Sequence, residues 1–443
     1  MAKVGFISLG CAKNLVDSEV MMGLLAESGF EITSAQREAD VIVVNTCGFI
    51  DRAKEESVDA ILEMAREKER GKCRRLIVAG CLVERYRDQI LKEIPEVDAV
   101  VGVNEIPEIL KVCAGEAMAP AFERRELYLY SDLDPRLRTT PSHSAYVKIA
   151  EGCDHPCTFC VIPKMRGRFR SRSIESVVSE ARRLAEQGVR EVNLVAQDST
   201  MFGWDRGDRK GLAQLLSQLN GVDGLEWIRF LYAYPNKIYD ELLVTIAESE
   251  KVCKYMDVPL QHASREILRR MKRGGNRSAL SRLIARIRTY IPDVTIRTTM
   301  IVGFPGETEE DFRDLLEFVE EARFDRLGAF TYSDEEDAES FRLEGRVPKE
   351  VKVQRKQRLM ELQSRISQEK NRELIGRVAP VLIEGPSRET DLLWEGRLQG
   401  QAPEIDGVVY LNDGVSADTR PGDFGRVSIT EAHPHDLVGA LVS

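Results

Sequence analysis

Three cysteines stand close together in the run EGCDHPCTFC. Cys153, Cys157 and Cys160 are separated by three and by two residues, and Phe159 directly precedes the last of them. Thiolates at this spacing can ligate three irons of a cubane [4Fe-4S] cluster and leave the fourth iron open for a small molecule. An open iron indicates chemistry rather than simple electron carriage. The alternative is a structural zinc site, for which His155 would have to supply the fourth ligand.

Three further cysteines each follow a short apolar run that is typical of a buried strand. KVGFISLG precedes Cys11, DVIVVNT precedes Cys47 and RLIVAG precedes Cys81. Helical patterns fill the gaps, at Asp17–Ser28, Arg52–Lys68 and Glu84–Glu93. This βαβ alternation predicts a parallel sheet, whose strands end at one shared edge. We therefore expect these cysteines to converge on a second three-cysteine cluster with an open iron, although any one of them alone would be an ordinary buried thiol.

The remaining cysteines, Cys73, Cys113 and Cys253, lack this position after a strand, and we interpret them as structural. After a polar, proline-bearing linker at residues 131–144, a strand at Ala145–Ala150 delivers the Cys153 loop. Further strands are predicted at Glu191–Ala196, Trp227–Tyr232, Tyr255–Pro259, Val294–Val302 and Arg326–Tyr332, with helices between them. This series predicts an open, partial version of the TIM-like βα barrel, with its site at the carboxyl ends of the strands.

The last part of the chain has a different residue pattern. Lys349–Leu374 is a charged, glycine-free run that predicts one long helix. Short alternating strands follow, at Arg377–Glu384, Leu392–Gln401, Gly407–Asn412, Phe424–Thr430 and Leu437–Leu441, and predict a small antiparallel β-barrel. The chain is thus predicted to be a multidomain α/β protein. Its parts are an N-terminal Rossmann-like domain (1–125), a central barrel core (139–370) and the C-terminal barrel (376–443).

The negative charge of the chain limits the classes of macromolecule that it is expected to bind. The chain has a net charge of −10, and residues 376–443 contain five basic and eleven acidic residues. Such a barrel should repel a phosphate backbone and attract a basic protein. No signal peptide or long apolar run is recognisable, and nine cysteines without a secretory context indicate metal ligands. We expect a cytoplasmic protein that does not interact with membranes.

The Cys-x3-Cys-x2-Cys run is the signature of the radical S-adenosylmethionine superfamily. Together with the second triplet and a C-terminal barrel of the TRAM type, the chain resembles the methylthiotransferases. The segments SLGCAKNLVDSE, NTCGFI, KIAEGCDHPCTFCVIPKMRG and LVAQDST resemble their RimO-type branch. This resemblance implies a sulfur-group transferase that methylthiolates the β-carbon of an aspartate in protein twelve of the small ribosomal subunit. The nearest alternative is a tRNA adenosine methylthiotransferase, and the others are a non-catalytic iron–sulfur carrier and a zinc-dependent binding module.

The same resemblance implies two [4Fe-4S] clusters and two equivalents of S-adenosylmethionine per product. The core cluster would generate a 5′-deoxyadenosyl radical, and the N-terminal cluster would hold the sulfur. The basic ribosomal protein would bind through the acidic TRAM barrel, an electron donor such as a flavodoxin would reduce the clusters, and RNA would be met only as part of the ribosomal subunit.

Other candidate residues rest on weaker signals. Gln197 and Asp198 end a predicted strand and are candidates to bind S-adenosylmethionine, with loop caps as the alternative. Gly303 lies in a glycine turn that would let adenine approach the backbone, unless it is an ordinary turn. Four alternating arginines follow the cysteine loop, namely Arg166, Arg168, Arg170 and Arg172. They are candidates to bind a carboxylate of the cofactor or of the target aspartate, and the alternative is a solvated surface strand. His262 is interpreted as structural, and no residue is assigned a catalytic role.

Overall fold

The N-terminal part of the computed structural model is a parallel sheet covered by helices. The structure describes residues 2–116, 128–390 and 392–442. The elements of this part are β1 (Lys3–Ser8), α1 (Ala12–Glu27), β2 (Glu31–Thr33), β3 (Val41–Thr46), α2 (Asp51–Arg70), β4 (Arg75–Gly80), α3 (Cys81–Glu93), β5 (Val97–Val101) and α4 (Ile109–Ala114). The strand order is β2-β1-β3-β4-β5, and every pair is parallel. The predicted Rossmann-like sheet is confirmed.

Two of the predicted helices begin earlier than their sequence patterns indicated. α1 begins at Ala12 rather than Asp17, and α3 begins at Cys81 rather than Glu84. In both cases the helix starts right at the cysteine that follows the strand. The early polar residues of α1 obscured its periodicity because Asn14 and Asp17 are buried by contacts with other parts of the molecule.

The central part is a half-open βα barrel. Its strands are β6 (Ser144–Lys148), β7 (Ala150–Glu151), β8 (Arg170–Ser171), β9 (Glu191–Val195), β10 (Trp227–Phe230), β11 (Tyr255–Asp257), β12 (Thr295–Val302) and β13 (Arg326–Thr331). Its helices are α5 (Ile162–Arg166), α6 (Ile174–Glu186), α7 (Gly211–Asn220), α8 (Asp240–Glu248), α9 (Arg265–Arg270), α10 (Arg277–Tyr290), α11 (Glu309–Ala322) and α12 (Lys349–Arg372).

Two parallel three-stranded sheets, β6-β9-β10 and β11-β12-β13, form the wall of this barrel. A parallel bridge from Ile228 to Val252 joins them. The short strands β7 and β8 pair antiparallel at the mouth and flank the cysteine loop. The large buried cluster between the wall and its helices forms the core that holds the mouth in shape.

The C-terminal part is a closed five-stranded barrel, made of β14 (Val378–Pro386), β15 (Trp394–Leu398), β16 (Val409–Asp413), β17 (Phe424–Ala432) and β18 (Leu437–Val442). Its order is β14-β15-β16-β18-β17, and β14 closes onto β17. The pair β16–β18 is parallel, whereas the other pairs are antiparallel as predicted. One parallel pair is unavoidable, because strand directions cannot alternate all the way around a closed ring of five.

A buried ion network fastens this barrel to the core. Glu191 on β9 accepts hydrogen bonds from Arg397 of the barrel at 3.1 Å and from Arg229 at 3.3 Å. Burial alone would raise the pKa of Glu191, but Arg397 and Arg229 lower it to about 2. Glu384 pairs with both Arg397 and His143. Some acidic residues that the sequence suggested were on the surface therefore form ion pairs inside the protein.

Candidate active site

The N-terminal cysteines lie at the carboxyl edge of the parallel sheet. Cys11 is the N-cap of α1, Cys47 directly follows β3, and Cys81 opens α3 after β4. Since β2 lies on one side of β1 and β3 on the other, the strand order reverses direction here. This is the crevice in which open α/β sheets bind their ligands. Cys11 and Cys47 each act electrostatically on Cys81, so the three thiols share one site.

Gly10 lets two of these segments approach closely. Its φ is +93°, and a Cβ at this position would lie 2.8 Å from the Cβ of Cys47. An L side chain would be strained by the positive φ and would also push Cys47 away. The turn after β1 therefore needs glycine for the triplet to assemble.

The second triplet lies on the loop that follows β7. The amide of Cys153 donates to Gly167 O at 3.1 Å, and the amide of Cys160 closes a turn on Cys157 O at 3.1 Å. Gly152 has a φ of +82°, and a Cβ there would lie 2.1 Å from Arg168 O. The loop is thus folded back on the residues that follow it, with its thiols together at the barrel mouth.

The pKa of Cys11 differs in direction from those of its neighbours in the N-terminal site and from those of Cys153 and Cys160. Burial raises the pKa of Cys81, Cys153 and Cys160 to about 12. Burial would also raise the pKa of Cys11, but the ammonium of Lys13 and the guanidinium of Arg166 outweigh it and lower that pKa. A buried thiolate needs a positively charged partner, and iron is a cation that groups of cysteine thiolates bind. All six cysteines are free of disulfide bonds, so the chemistry of both donor sets suits an iron–sulfur cluster.

A buried ion network connects the two triplets. Arg166 donates to Cys81 Sγ at 3.3 Å and to both carboxylate oxygens of Glu151 at 3.0 Å. Glu151 stands two residues before the first cysteine of the core loop. Lys148 donates to Glu151 at 2.8 Å, and Asp17 pairs with both Lys148 and Arg166. The N-terminal domain and the barrel core therefore meet through charges that lie between the two cysteine sites.

Gln197 points into the same region. Its Nε2 donates to Glu151 Oε1 at 2.9 Å, whereas its buried Oε1 has no hydrogen-bond partner among the described residues. A buried acceptor without a donor fits a ligand that brings a hydroxyl or an ammonium group. Asp198 has partners of its own: Oδ2 lies 2.6 Å from His155 Nε2, and Oδ1 accepts from the amide of Thr200 at 2.9 Å. Asp198 thus caps the turn after β9 and also holds His155.

Phe159 and Gly303 lie on the other flank of the mouth. Phe159 packs against the cluster that includes Phe304 and Tyr332. Gly303 has a φ of +75°, and a Cβ there would lie 2.3 Å from Lys352 Cγ. The side chain of Lys352 therefore accounts for the need for glycine at this turn.

The four alternating arginines have different surroundings. Arg166 and Arg172 are buried, and Arg172 donates to Glu180 at 2.6 Å. Arg170 is half-buried and donates to Asn104 Oδ1, whereas Arg168 is exposed. A solvated surface strand describes Arg168 alone. The other positions that we interpreted as structural are buried, namely Cys73, Cys113, Cys253 and His262.

Sequence reasoning missed three residues of this site. Lys13 lies over the ring of Tyr232 at 3.6 Å, and Arg273 donates to Cys157 Sγ at 3.6 Å. His155, considered above only as a zinc ligand, stacks on Tyr234 with ring centroids 3.7 Å apart. Lys13 had a detectable signal, since it follows Cys11 by two residues. Arg273 had none, because it is distant in sequence from the loop that it contacts.

Among the residues that the structure describes, no three histidine, cysteine, aspartate or glutamate side chains are placed to hold a single metal ion. Within the same residues, no helix combines the length and apolar character needed to cross a membrane.

Comparison with known proteins shows that a chain with this three-part architecture belongs to the methylthiotransferases of the radical S-adenosylmethionine superfamily. Family models agree with each part. Residues 3–102 match uncharacterized protein family UPF0004, residues 147–319 match the radical SAM superfamily, and residues 375–442 match the TRAM domain.

Curated relatives match over the whole length. The chain is 58% identical to a protein of Solibacter usitatus, covering 100% of this chain and 95% of the relative. It is 53% identical to a protein of Koribacter versatilis, with 99% and 96% covered. Both are named ribosomal protein uS12 methylthiotransferase RimO. The chain belongs to this RimO family and is a transferase of sulfur-containing groups.

Solved structures with low sequence identity share the fold. The methyltransferase TsrM of Kitasatospora setae, solved with cobalamin and a [4Fe-4S] cluster, has a TM-score of 0.57 at 15% identity over 75% of each chain. OxsB, solved with cobalamin and S-adenosylmethionine, has a TM-score of 0.51 at 13% identity, over 72% of this chain and 52% of its own. The family and fold make this an iron–sulfur, S-adenosylmethionine-dependent protein.

Proposed function

We propose that this enzyme adds a methylthio group to the β-carbon of an aspartate in ribosomal protein uS12. The observation that carries the proposal is the meeting of two cysteine triplets across one buried network, in a chain 58% identical over its whole length to a relative of that name. Forming a carbon–sulfur bond at an unactivated carbon requires both a radical and a sulfur donor. Two separate triplets match these two requirements.

Cys153, Cys157 and Cys160 would hold one [4Fe-4S] cluster, and Cys11, Cys47 and Cys81 would hold a second. When bound, the cofactors supply a 5′-deoxyadenosyl radical at the core triplet and a methylated sulfur at the N-terminal one. Two equivalents of S-adenosylmethionine are consumed per product, because one donates the methyl group and the other is cleaved to methionine and 5′-deoxyadenosine. A low-potential electron donor such as a flavodoxin supplies the electron for the cleavage.

The residues of the protein orient these partners. Gln197 offers its free Oε1 to S-adenosylmethionine, and Phe159 and Gly303 line the other side of the mouth. Asp198 contributes to the same site by holding His155 within the cysteine loop. Arg166 holds the N-terminal triplet and Glu151 in fixed relation. The core and N-terminal domains thereby keep a set distance between radical and sulfur.

The domains divide the work at the boundaries expected from the sequence, 1–125, 139–370 and 376–443. The C-terminal barrel would bind the basic ribosomal protein. Among the described residues of this barrel, exposed acidic side chains outnumber exposed arginines. The exposed acidic residues are Glu389, Glu404, Asp413, Asp418, Asp423 and Glu431. The charge of the barrel also opposes binding to an RNA backbone. We expect the reaction to take place in the cytoplasm.

The test is mass spectrometry after an anaerobic reaction. Reconstituted enzyme, a reductant and S-adenosylmethionine are given either uS12 or unmodified tRNA. We expect one methylthio mass gain on an aspartate of uS12, with 5′-deoxyadenosine released. A gain on tRNA adenosine instead would show that the acceptor is wrong. Release of 5′-deoxyadenosine with neither product would leave the radical chemistry and overturn the proposed acceptor.

A further inference from the structure

Lys13 is a buried cation that forms no ion pair with any carboxylate of the described residues. The residue is 8% exposed, and its Nζ lies 3.6 Å from the centre of the Tyr232 ring. In the part of the chain that the structure describes, no aspartate or glutamate oxygen pairs with it. A buried lysine is normally paired, since an isolated ammonium is costly to remove from water. Lys13 interacts with the side chain of Tyr232 and with the thiol of Cys11, and its ammonium can also bind the carboxylate of a ligand.

The other buried cations nearby are satisfied. Arg166 and Lys148 share Asp17 and Glu151, as described above. Arg172 is paired with Glu180, at 2.6 Å. These pairs leave no spare positive charge in the network that connects the triplets. Lys13 differs from these residues in having no carboxylate partner among the described residues, and it stands two residues after Cys11.

The partner of Lys13 on the barrel side is held in an unusual conformation. Tyr232 has a φ of +64°, which is rare for a residue other than glycine. Its amide donates to Asp257 Oδ2 at 3.0 Å, and its carbonyl accepts from the amide of Ser199 at 3.0 Å. Asp257 is fixed in turn by Arg297 at 2.8 Å. Strain that the surroundings maintain in this way is concentrated at ligand sites.

The segment that carries Tyr232 touches both triplets. Tyr232 faces Lys13 beside Cys11, and Tyr234, two residues further on, stacks on His155 in the core cysteine loop. A group held by Lys13 would therefore lie between the sulfur site and the radical site. This is the position that an acceptor carbon has to occupy.

We propose that Lys13 binds the side-chain carboxylate of the substrate aspartate, and that Tyr232 positions the ammonium by its ring. This inference rests on the proposed function, in which the acceptor is the β-carbon of an aspartate. The carboxylate is bonded directly to that carbon, so a grip on the carboxylate places the reacting atom one bond away. The ammonium of Lys13 also neutralises the negative charge of the substrate carboxylate, which would otherwise enter a region that contains cysteine thiolates.

The alternative role of Lys13 is to balance the charge of the cysteine thiolates. Lys13 does lower the pKa of Cys11, together with Arg166, so such an effect exists. The two roles differ in what they recognise. Charge balance is indifferent to the acceptor side chain, whereas a carboxylate site distinguishes aspartate from asparagine.

The experiment measures the affinity of the reconstituted enzyme for uS12 and for uS12 in which the modified aspartate is replaced by asparagine. Wild-type enzyme should prefer the aspartate form by at least about tenfold, the value of one good charge-assisted contact. Lys13→Met removes the charge and keeps the length of the side chain, and it should bind both forms equally. Lys13→Arg should retain a preference. Iron and sulfide contents confirm that each variant carries its clusters.

Lys3→Gln is the matched control. Lys3 lies at the opposite end of β1, and its ammonium pairs with Glu31 and Glu38 near the surface. Its loss should leave the preference for aspartate unchanged. If Lys13→Met keeps that preference, the inference is overturned, whether or not the redox properties of the N-terminal cluster change. If wild-type enzyme neither binds nor modifies uS12, the proposed function fails first, and modification of uS12 by the wild type separates the two failures.

Discussion

The two cysteine triplets are similar groups of three thiols, but the cysteines of one are close together in the sequence and those of the other are far apart. Cys153, Cys157 and Cys160 come from one loop, so the loop alone brings them together. The N-terminal three come from the ends of three strands, and only the parallel sheet brings them to one edge. The core triplet is a local motif placed on a barrel, whereas the N-terminal triplet is a product of the fold.

Their electrostatic surroundings differ as well. Lys13 and Arg166 lie beside the N-terminal thiols and lower the pKa of Cys11. Around the core loop, Asp198 acts on Cys153 in the opposite direction and adds to the burial that raises its pKa. A cation-rich site suits the storage of anionic sulfur and an anionic acceptor. In the proposed function the core cluster gives an electron away. Asp198 would lower the potential of that cluster, whereas Arg273 beside Cys157 would act in the opposite direction.

The largest expected effect comes from removing one ligand from each triplet. Cys153→Ala should abolish both 5′-deoxyadenosine release and methylthiolation, since radical formation depends on the core cluster in the proposed function. Cys11→Ala should abolish methylthiolation but keep the release of 5′-deoxyadenosine. Chromatography of the small products and mass spectrometry of uS12 measure both activities in the same reaction.

Cys253→Ala is the matched control for these variants, because Cys253 is buried yet belongs to neither triplet. It should retain both activities. Loss of 5′-deoxyadenosine release in Cys11→Ala, with the core cluster intact by iron analysis, would contradict the division of labour between the triplets.

The next effect comes from the glycines that let each triplet assemble. Gly10→Ala should disturb the N-terminal triplet, because its Cβ would lie 2.8 Å from the Cβ of Cys47. Gly152→Ala should disturb the core loop, because its Cβ would lie 2.1 Å from Arg168 O. Positive φ alone costs roughly 1–3 kcal/mol, and the contacts add to this cost. Iron content per chain and the temperature of unfolding measure the outcome.

Two further glycines separate strain from displacement. Gly29 and Gly188 have φ of +87° and +90°, and a Cβ at either position would meet nothing within 4 Å. Their alanine variants should lose stability but keep full iron content. Equal iron loss in all four variants would mean that backbone strain, and not crowding of the cysteines, explains the effect.

The contrast between the triplets also explains how far the sequence could be used for prediction. The core loop was recognisable from Cys153 to Cys160, because spacing within one loop is local information. The convergence of the N-terminal cysteines was predictable because each cysteine follows a strand and parallel strands share an edge. The barrel was predicted as well, apart from the parallel pair between β16 and β18.

The surroundings of the sites were not predictable in the same way. The bond from Arg166 to Cys81 and that from Arg273 to Cys157 join residues far apart in sequence, and no periodicity encodes them. The partners of Asp198 depend on where His155 comes to lie. Charges in a sequence show which groups need partners, but tertiary packing decides which partner each one obtains.

The smallest effect we predict concerns the two arginines that donate to thiols. Arg166→Met removes a cation 3.3 Å from Cys81, and Arg273→Met removes one 3.6 Å from Cys157. A hydrogen-bonded cation stabilises the more negative, reduced state of a cluster, so its loss should lower the reduction potential. For Arg166 we expect about 60 mV at the N-terminal cluster, the one-electron equivalent of about 1.4 kcal/mol. For Arg273 we expect a smaller shift, confined to the core cluster.

Redox titration followed by electron paramagnetic resonance measures these shifts, with the Cys11→Ala and Cys153→Ala proteins used to assign each signal. Arg166→Lys separates charge from geometry, because lysine keeps the charge but cannot contact Cys81 and both oxygens of Glu151 at once. Its potential should therefore lie between those of wild type and Arg166→Met. A shift of both clusters in Arg166→Met would show that the buried network couples the two sites electrostatically. A shift of neither would reduce Arg166 to a purely structural link between the domains.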